Sequence, residues 1–139
     1  MTAQTKTMTT NLDAYYTTVE TKGSLRSPAH AHNWSSATLL MLGHNLGGKT
    51  RKQLANALPE ELATDVKRVF WLVHFRDSQK EAIMFQKEVA RRAGVSDAQL
   101  ARIPVVAVFN ALKAMLDKNV IDAVADDLSP EISELWRNA

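Results

Sequence analysis

Residues 43–50 read Gly-His-Asn-Leu-Gly-Gly-Lys-Thr, which fits the G-x-x-x-x-G-K-T pattern of a phosphate-binding loop. In such a loop backbone amides cradle the phosphate oxygens and the lysine reaches the outer ones. That chemistry requires a buried strand before the loop and a helix after it. It also requires a magnesium-binding Asp at the end of a later apolar strand. The preceding run, Ala37 to Leu42, is apolar enough for a strand. Its counterpart seventy positions on, Val108 to Leu116, is rich in the helix formers Ala, Leu, Met and Lys. The best candidate for the distant Asp, in Asn119-Val120-Ile121-Asp122, follows charged residues at a short helix. The match is therefore read as chance. Gly47 and Gly48 end a helix, and Lys49, Arg51 and Lys52 form a solvated basic turn.

The remaining polar groups do not assemble into a reaction. His30 and His32 have a spacing that suits a strand, with no third ligand nearby, and are read as a surface pair in a loop. His44 and His74 fall near helix C-termini, where partial positive charge is favoured. Glu60-Glu61 and Asp126-Asp127 are sequence neighbours, so on a helix their side chains diverge and cannot act as an acid/base pair by adjacency. Glu60 and Glu61 instead suit the first turn of a helix. Lys87, Arg91 and Arg92 share a helix with Glu88 as a solvated face. No catalytic residue, cofactor or metal site is expected.

Composition points the same way. The 139 residues are 45% hydrophobic and 23% charged, a length that suits one domain spanning 1–139. Zero cysteines exclude disulfides and thiol chemistry and fit a reducing, cytoplasmic setting. The longest apolar run, Val69 to Val73, is too short to cross a bilayer, so no membrane partner is expected. The pI of about 9.0 comes from a slightly basic first half, a weak pointer towards nucleic acid.

Elements able to position side chains are all helical. No segment alternates with period two. Thr10-Asn11 should cap a first helix that Gly23 ends. Ser27-Pro28 should start a short turn or a second helix, before a helix over 33–45. Further helices are expected over about 50–57, from Pro59 to about 75, from a Ser78-x-x-Glu81 capping box to Gly94, and from Pro104 to about Asp117. Ser96 should cap a short helix, and two short helices finish the chain. Shifting the sequence by seventy positions aligns apolar residues without a gap. Tyr15 meets Phe85, Val19 meets Val89, Leu39 meets Phe109 and Leu42 meets Leu112. The series continues with Leu46 and Leu116, Leu54 and Val124, Leu58 and Leu128, Leu62 and Ile132, and Val66 and Trp136. The spacing is that of helices, present twice. The fold class read from this is an all-α bundle of about seven or eight helices in two tandem similar halves, about 8–75 and 78–137, after a flexible lead over 1–8.

Three segments carry a resemblance. Residues 54–71, 81–100 and 123–136 resemble the DUF2267 family of small prokaryotic helical proteins. The family pattern is a Phe-x-x-x-Val-x-x-x-x-Gly helix end, an Ala- and Leu-rich helix, and a Leu-Pro-x-x-Leu signature, in two copies. Phe85, Val89 and Gly94 supply the first element in the second copy. Tyr15 and Val19 supply it in the first, with Gly23 one place early. Leu58-Pro59-Glu60-Glu61-Leu62 matches the signature, and Leu128-Ser129-Pro130-Glu131-Ile132 departs from it by the serine. Trp34 and Trp136 should anchor the core of each half. The resemblance carries over no catalytic residue, because the family name itself denotes unknown function.

The expected role is a non-enzymatic protein–protein interaction or scaffold module, with self-association open. Its interaction surface would use Lys49, Arg51 and Lys52 together with Phe70, Trp71 and Phe75. The last three lie in the run Val69 to Phe75, which covers every face of a helix and is either core or docking patch. One alternative is nucleic-acid association through Lys49, Arg51, Lys52, Lys67 and Arg68. A second is a ligand binder or enzyme with a pocket between the halves.

Overall fold

Eighteen residues set the core before any site is considered. Both members of each of the nine pairs seventy positions apart are buried, none more than 9% exposed. They sit in one continuous apolar cluster running from Tyr15 to Trp136. The computed structural model describes residues 2–68 and 77–139, with side chains from residue 11 onward. Among the described residues there are eight α-helices and no strand. They are α1 (Thr2–Lys22), α2 (Pro28–His44), α3 (Gly48–Asn56), α4 (Glu60–Lys67), α5 (Ala82–Ala93), α6 (Arg102–Lys113), α7 (Lys118–Asp127) and α8 (Pro130–Asn138), with a 3-10 turn over Ala98–Ala101 before α6. Helices α3 and α7 begin seventy residues apart, as do α4 and α8.

Packing crosses the sequence. Helix α1 lies on α2 and α6, while α5 lies on α2 and on the 3-10 turn. Helix α2 touches α6, α3 touches α7, and α8 spans α5, α6 and α7. Helix α1 therefore pairs with α6, and α2 with α5, across long separations in sequence.

The helix ends correct several readings. Helix α1 starts at Thr2, upstream of the Thr10-Asn11 cap. Ser27 and Pro28 open the whole of α2, not a separate turn, and the Ser27 side chain accepts from His30 N. Helix α4 stops at Lys67 because Arg68 leaves helical geometry with ψ 70°, short of residue 75. The Ser78–Glu81 capping box does not form. Glu81 makes no side-chain cap, and the Ala82 amide donates instead to Glu131 Oε1 of α8 at 2.8 Å. Asp97, not Ser96, caps the 3-10 turn by accepting from Gln99 N. Helix α6 is framed by Arg102 and Lys113, and Asp117 belongs to the next helix as its cap. Pro130 is the first residue of α8 behind a Ser129 cap, whereas Pro59 stands one place before α4 as its N-cap.

One apparent mismatch resolves. Helix α5 ends on Gly94 at φ 91°, with Val95 N donating to Ala90 O. Helix α1 ends with Leu25 N donating to Glu20 O, and the residue in the left-handed position is Ser24 at φ 54°. Ser24 is the position seventy before Gly94, so the left-handed residue keeps register and only the glycine is displaced. A left-handed L-residue costs about 1–2 kcal/mol, so Ser24→Gly should raise stability by roughly 1 kcal/mol in thermal or urea melts.

Candidate functional site

The residues of the phosphate-loop pattern are placed by helices. Gly43 lies inside α2, buried against α4, where an added Cβ would stand 2.2 Å from Val66 O. Its lack of a side chain permits the α2–α4 crossing. Gly47 N, which would face a phosphate in a nucleotide site, donates to the Asp127 carboxylate of α7 at 2.7 Å. Arg51 turns back onto the end of α2 and donates from Nη1 to Gly43 O at 3.2 Å and Leu46 O at 3.1 Å. The expected solvated basic turn is thus corrected at Arg51, which is a helix cap. Lys49 and Lys52 remain exposed on α3. Gly43→Ala should cost about 1–3 kcal/mol through forced separation of two backbones. Lys49→Ala should change stability by less than about 0.5 kcal/mol. Urea melts check both, and calorimetry with ATP and GTP should register no binding to either variant or to the parent.

The other expected surface residues scatter. Lys67 and Arg68 close α4, where Arg68 lies 3.9 Å from Asp65. Phe70, Trp71, His74 and Phe75 lie outside the described residues. Asp126 and Asp127, read as a plain polar face, are committed to Arg137 and to Gly47 N. His44, at the end of α2, has Nδ1 2.9 Å from Leu40 O.

Two places do bring polar groups together, and neither was found from spacing. At the first, His32 lies on α2, not in a loop, and the Tyr16 ring stacks on it at 3.6 Å with the planes 13° apart. His32 Nδ1 is 3.8 Å from Glu61 Oε1 of α4. Behind them Tyr15 OH and Ser35 Oγ are 2.7 Å apart, and Ser36 Oγ donates to Asp65 Oδ1 at 3.0 Å. Burial drives the Tyr15 phenol well above its ordinary pKa. Burial and then the Glu61 charge do the same for Tyr16. Both stay protonated at any ordinary pH. The cluster is poor at catalysis. Its serine hydroxyls are committed to Tyr15 and Asp65, and the His32–Glu61 separation exceeds a hydrogen bond. What it does is tie α1, α2 and α4 together.

The second place is a cleft of about 720 Å³ between the end of α1 and helices α5, α6 and α8. Ala82, Ile103, Val106, Ala107 and Leu135 give it an apolar lining, and Lys22, Arg102, Asn110, Glu131, Glu134 and Asn138 give it polar lips. Lys22 Nζ donates to Asn110 Oδ1 at 2.9 Å, fixing the α1–α6 side. Ile103 of the cleft lining is 58% exposed, and outside the lining Ile83, Met84 and Leu100 are 43%, 44% and 63% exposed. The positions seventy earlier are Asp13, Ala14, His30 and Asn33, which are polar or small. That contrast was present in the sequence. It was obscured because 83, 84, 100 and 103 come from three elements that only the fold joins.

Among the described residues no three His, Asp or Glu side chains are placed to hold a metal ion. No described helix is long and apolar enough to cross a membrane. No match was found among curated proteins. A family model described as Uncharacterized conserved protein (DUF2267) matches residues 12–135, nearly the whole chain, and the protein therefore belongs to the DUF2267 family.

Proposed function

We propose that this protein is a non-enzymatic interaction module built from two similar helical halves, and that it docks a partner protein through the face formed by α5, the 3-10 turn and the start of α6. The observation that carries this reading is the exposure of Ile83 and Met84 on α5, Leu100 in the 3-10 turn and Ile103 at the start of α6, three elements that pack on one another, where the matching positions of the other half are polar or small. Exposed large aliphatic side chains grouped on one face are the usual mark of an interaction surface. The docking face thus moves from α3, where Arg51 is already committed, to the second half of the chain. The basic residues of α3 and α4 give less support to nucleic-acid binding, since Arg51 is a cap and Arg68 has an acidic neighbour.

The test uses Leu100→Glu and Ile103→Glu. Both sites are exposed, so each should change stability by no more than about 0.5 kcal/mol. Each should weaken capture of a protein partner from the host by at least about tenfold, the loss expected of a buried apolar anchor. Capture equal to the parent would overturn the choice of face. A salt-dependent gel shift with the parent would favour the nucleic-acid alternative instead.

A further inference from the structure

We propose that the cleft between α1, α5, α6 and α8 binds a small apolar zwitterion of di- or tripeptide size, with its carboxylate at Arg102 and its ammonium at Glu134. This goes beyond the docking reading, which concerns an adjoining face that shares only Ile103 with the cleft, and a protein partner.

The cleft has a structural cause. Its lining residues Arg102, Val106, Glu131 and Leu135 lie seventy positions after His32, Ser36, Glu61 and Asp65. In the first half that region is occupied, because the Tyr16 ring lies flat on His32 beside Glu61. The residue seventy after Tyr16 is Gln86. It is 3% exposed and turned inward, donating from Nε2 to Ala98 O at 3.0 Å. Nothing equivalent to the tyrosine ring then covers Arg102, and the space stays open. A volume of about 720 Å³ lies within the range of small-molecule sites and exceeds the needs of a single amino acid.

Charge sets the ligand class. One wall, from α1 and α6, carries Lys22 and Arg102. The opposite wall, α8, carries Glu131 and Glu134. Lys22 is held by Asn110, and Glu131 accepts from the Ala82 amide. Arg102 and Glu134 have no ion pair or hydrogen-bond partner for their side chains among the described residues, so one charge of each sign is available across an apolar floor. The start of α6 adds little to this charge, because the 3-10 turn runs directly into it and the Arg102 amide already donates to Gln99 O. A ligand carboxylate there would meet the guanidinium. Simple anions or cations would each be repelled by one wall, whereas a zwitterion satisfies both.

The experiment is calorimetric titration of the full chain with leucyl-leucine, its N-acetyl form and its C-terminal amide, each up to about 10 mM so that a weak Kd registers. The free dipeptide should bind saturably, and each blocked form should bind at least about tenfold more weakly. Arg102→Gln should erase the difference between acid and amide, and Glu134→Gln the difference between free and acetylated amine. Both residues are exposed, and melting curves should match the parent. Absence of saturable binding by the dipeptide would overturn the proposal. So would equal binding of the blocked forms, or binding indifferent to both substitutions. These results are independent of Leu100→Glu, which lies outside the cleft and reports on docking alone.

Discussion

Trp136→Ala should destabilise the protein by about 3–5 kcal/mol, the range for removing a buried large aromatic side chain. Trp136 is fully buried, and its ring meets Phe109 edge-on at 5.2 Å and 71°. Phe109 in turn lies 5.9 Å from Phe85, so the indole closes a row of aromatic rings from α5, α6 and α8. Its Nε1 donates to Ile121 O of α7 at 3.0 Å, a bond that contributes about 1 kcal/mol more. Lys113 reaches over the ring, 5.9 Å from its centre, to donate to Trp136 O at 2.6 Å. Helices α6 and α7 therefore meet α8 on one side chain. Against a total stability of about 5–15 kcal/mol, the loss should lower Tm by roughly 10–20 °C. A fall of only a degree or two would mean that α8 is not part of the cooperative unit.

Leu62→Ala and Ile132→Ala should each cost about 2–5 kcal/mol, as fully buried large-to-small changes. They lie seventy positions apart, in the third positions of α4 and α8, so a similar cost is expected from each. The neighbouring acids should separate. Glu60 is exposed in the first turn of α4, and its loss should cost under about 1 kcal/mol. Glu131 caps the α5 amide of Ala82, so Glu131→Ala should cost about 0.5–2 kcal/mol. Urea melts of the four variants should rank Leu62 and Ile132 well above Glu131, and Glu131 above Glu60. The reverse ranking, with a cellular defect from a Glu change at unaltered Tm, would make the Leu-Pro-x-x-Leu signature a functional site.

Helical class was legible because apolar residues recur at three and four along the chain, and all nine shifted pairs prove buried. Caps contributed by distant residues were not legible. Nothing near Ala82 indicates that Glu131 will bond its amide, and nothing near Gly47 indicates Asp127. A local pattern such as Ser78-x-x-Glu81 loses when a better acceptor arrives from another helix. The role of Arg51 is hidden in the sequence for the same reason, since the carbonyls it satisfies, Gly43 O and Leu46 O, lie at the end of the preceding helix. Neither polar cluster could be read from spacing, because Tyr16, His32 and Glu61 stand on three separate helices.

Site-specific photo-crosslinking in the host, with the photoreactive residue placed at Ile103 or at Lys52, tests the interaction-module account most directly. The account predicts a discrete protein adduct from position 103, lost when Leu100→Glu is added, and none from position 52. Adducts to nucleic acid from position 52, with no protein adduct from position 103, would contradict it.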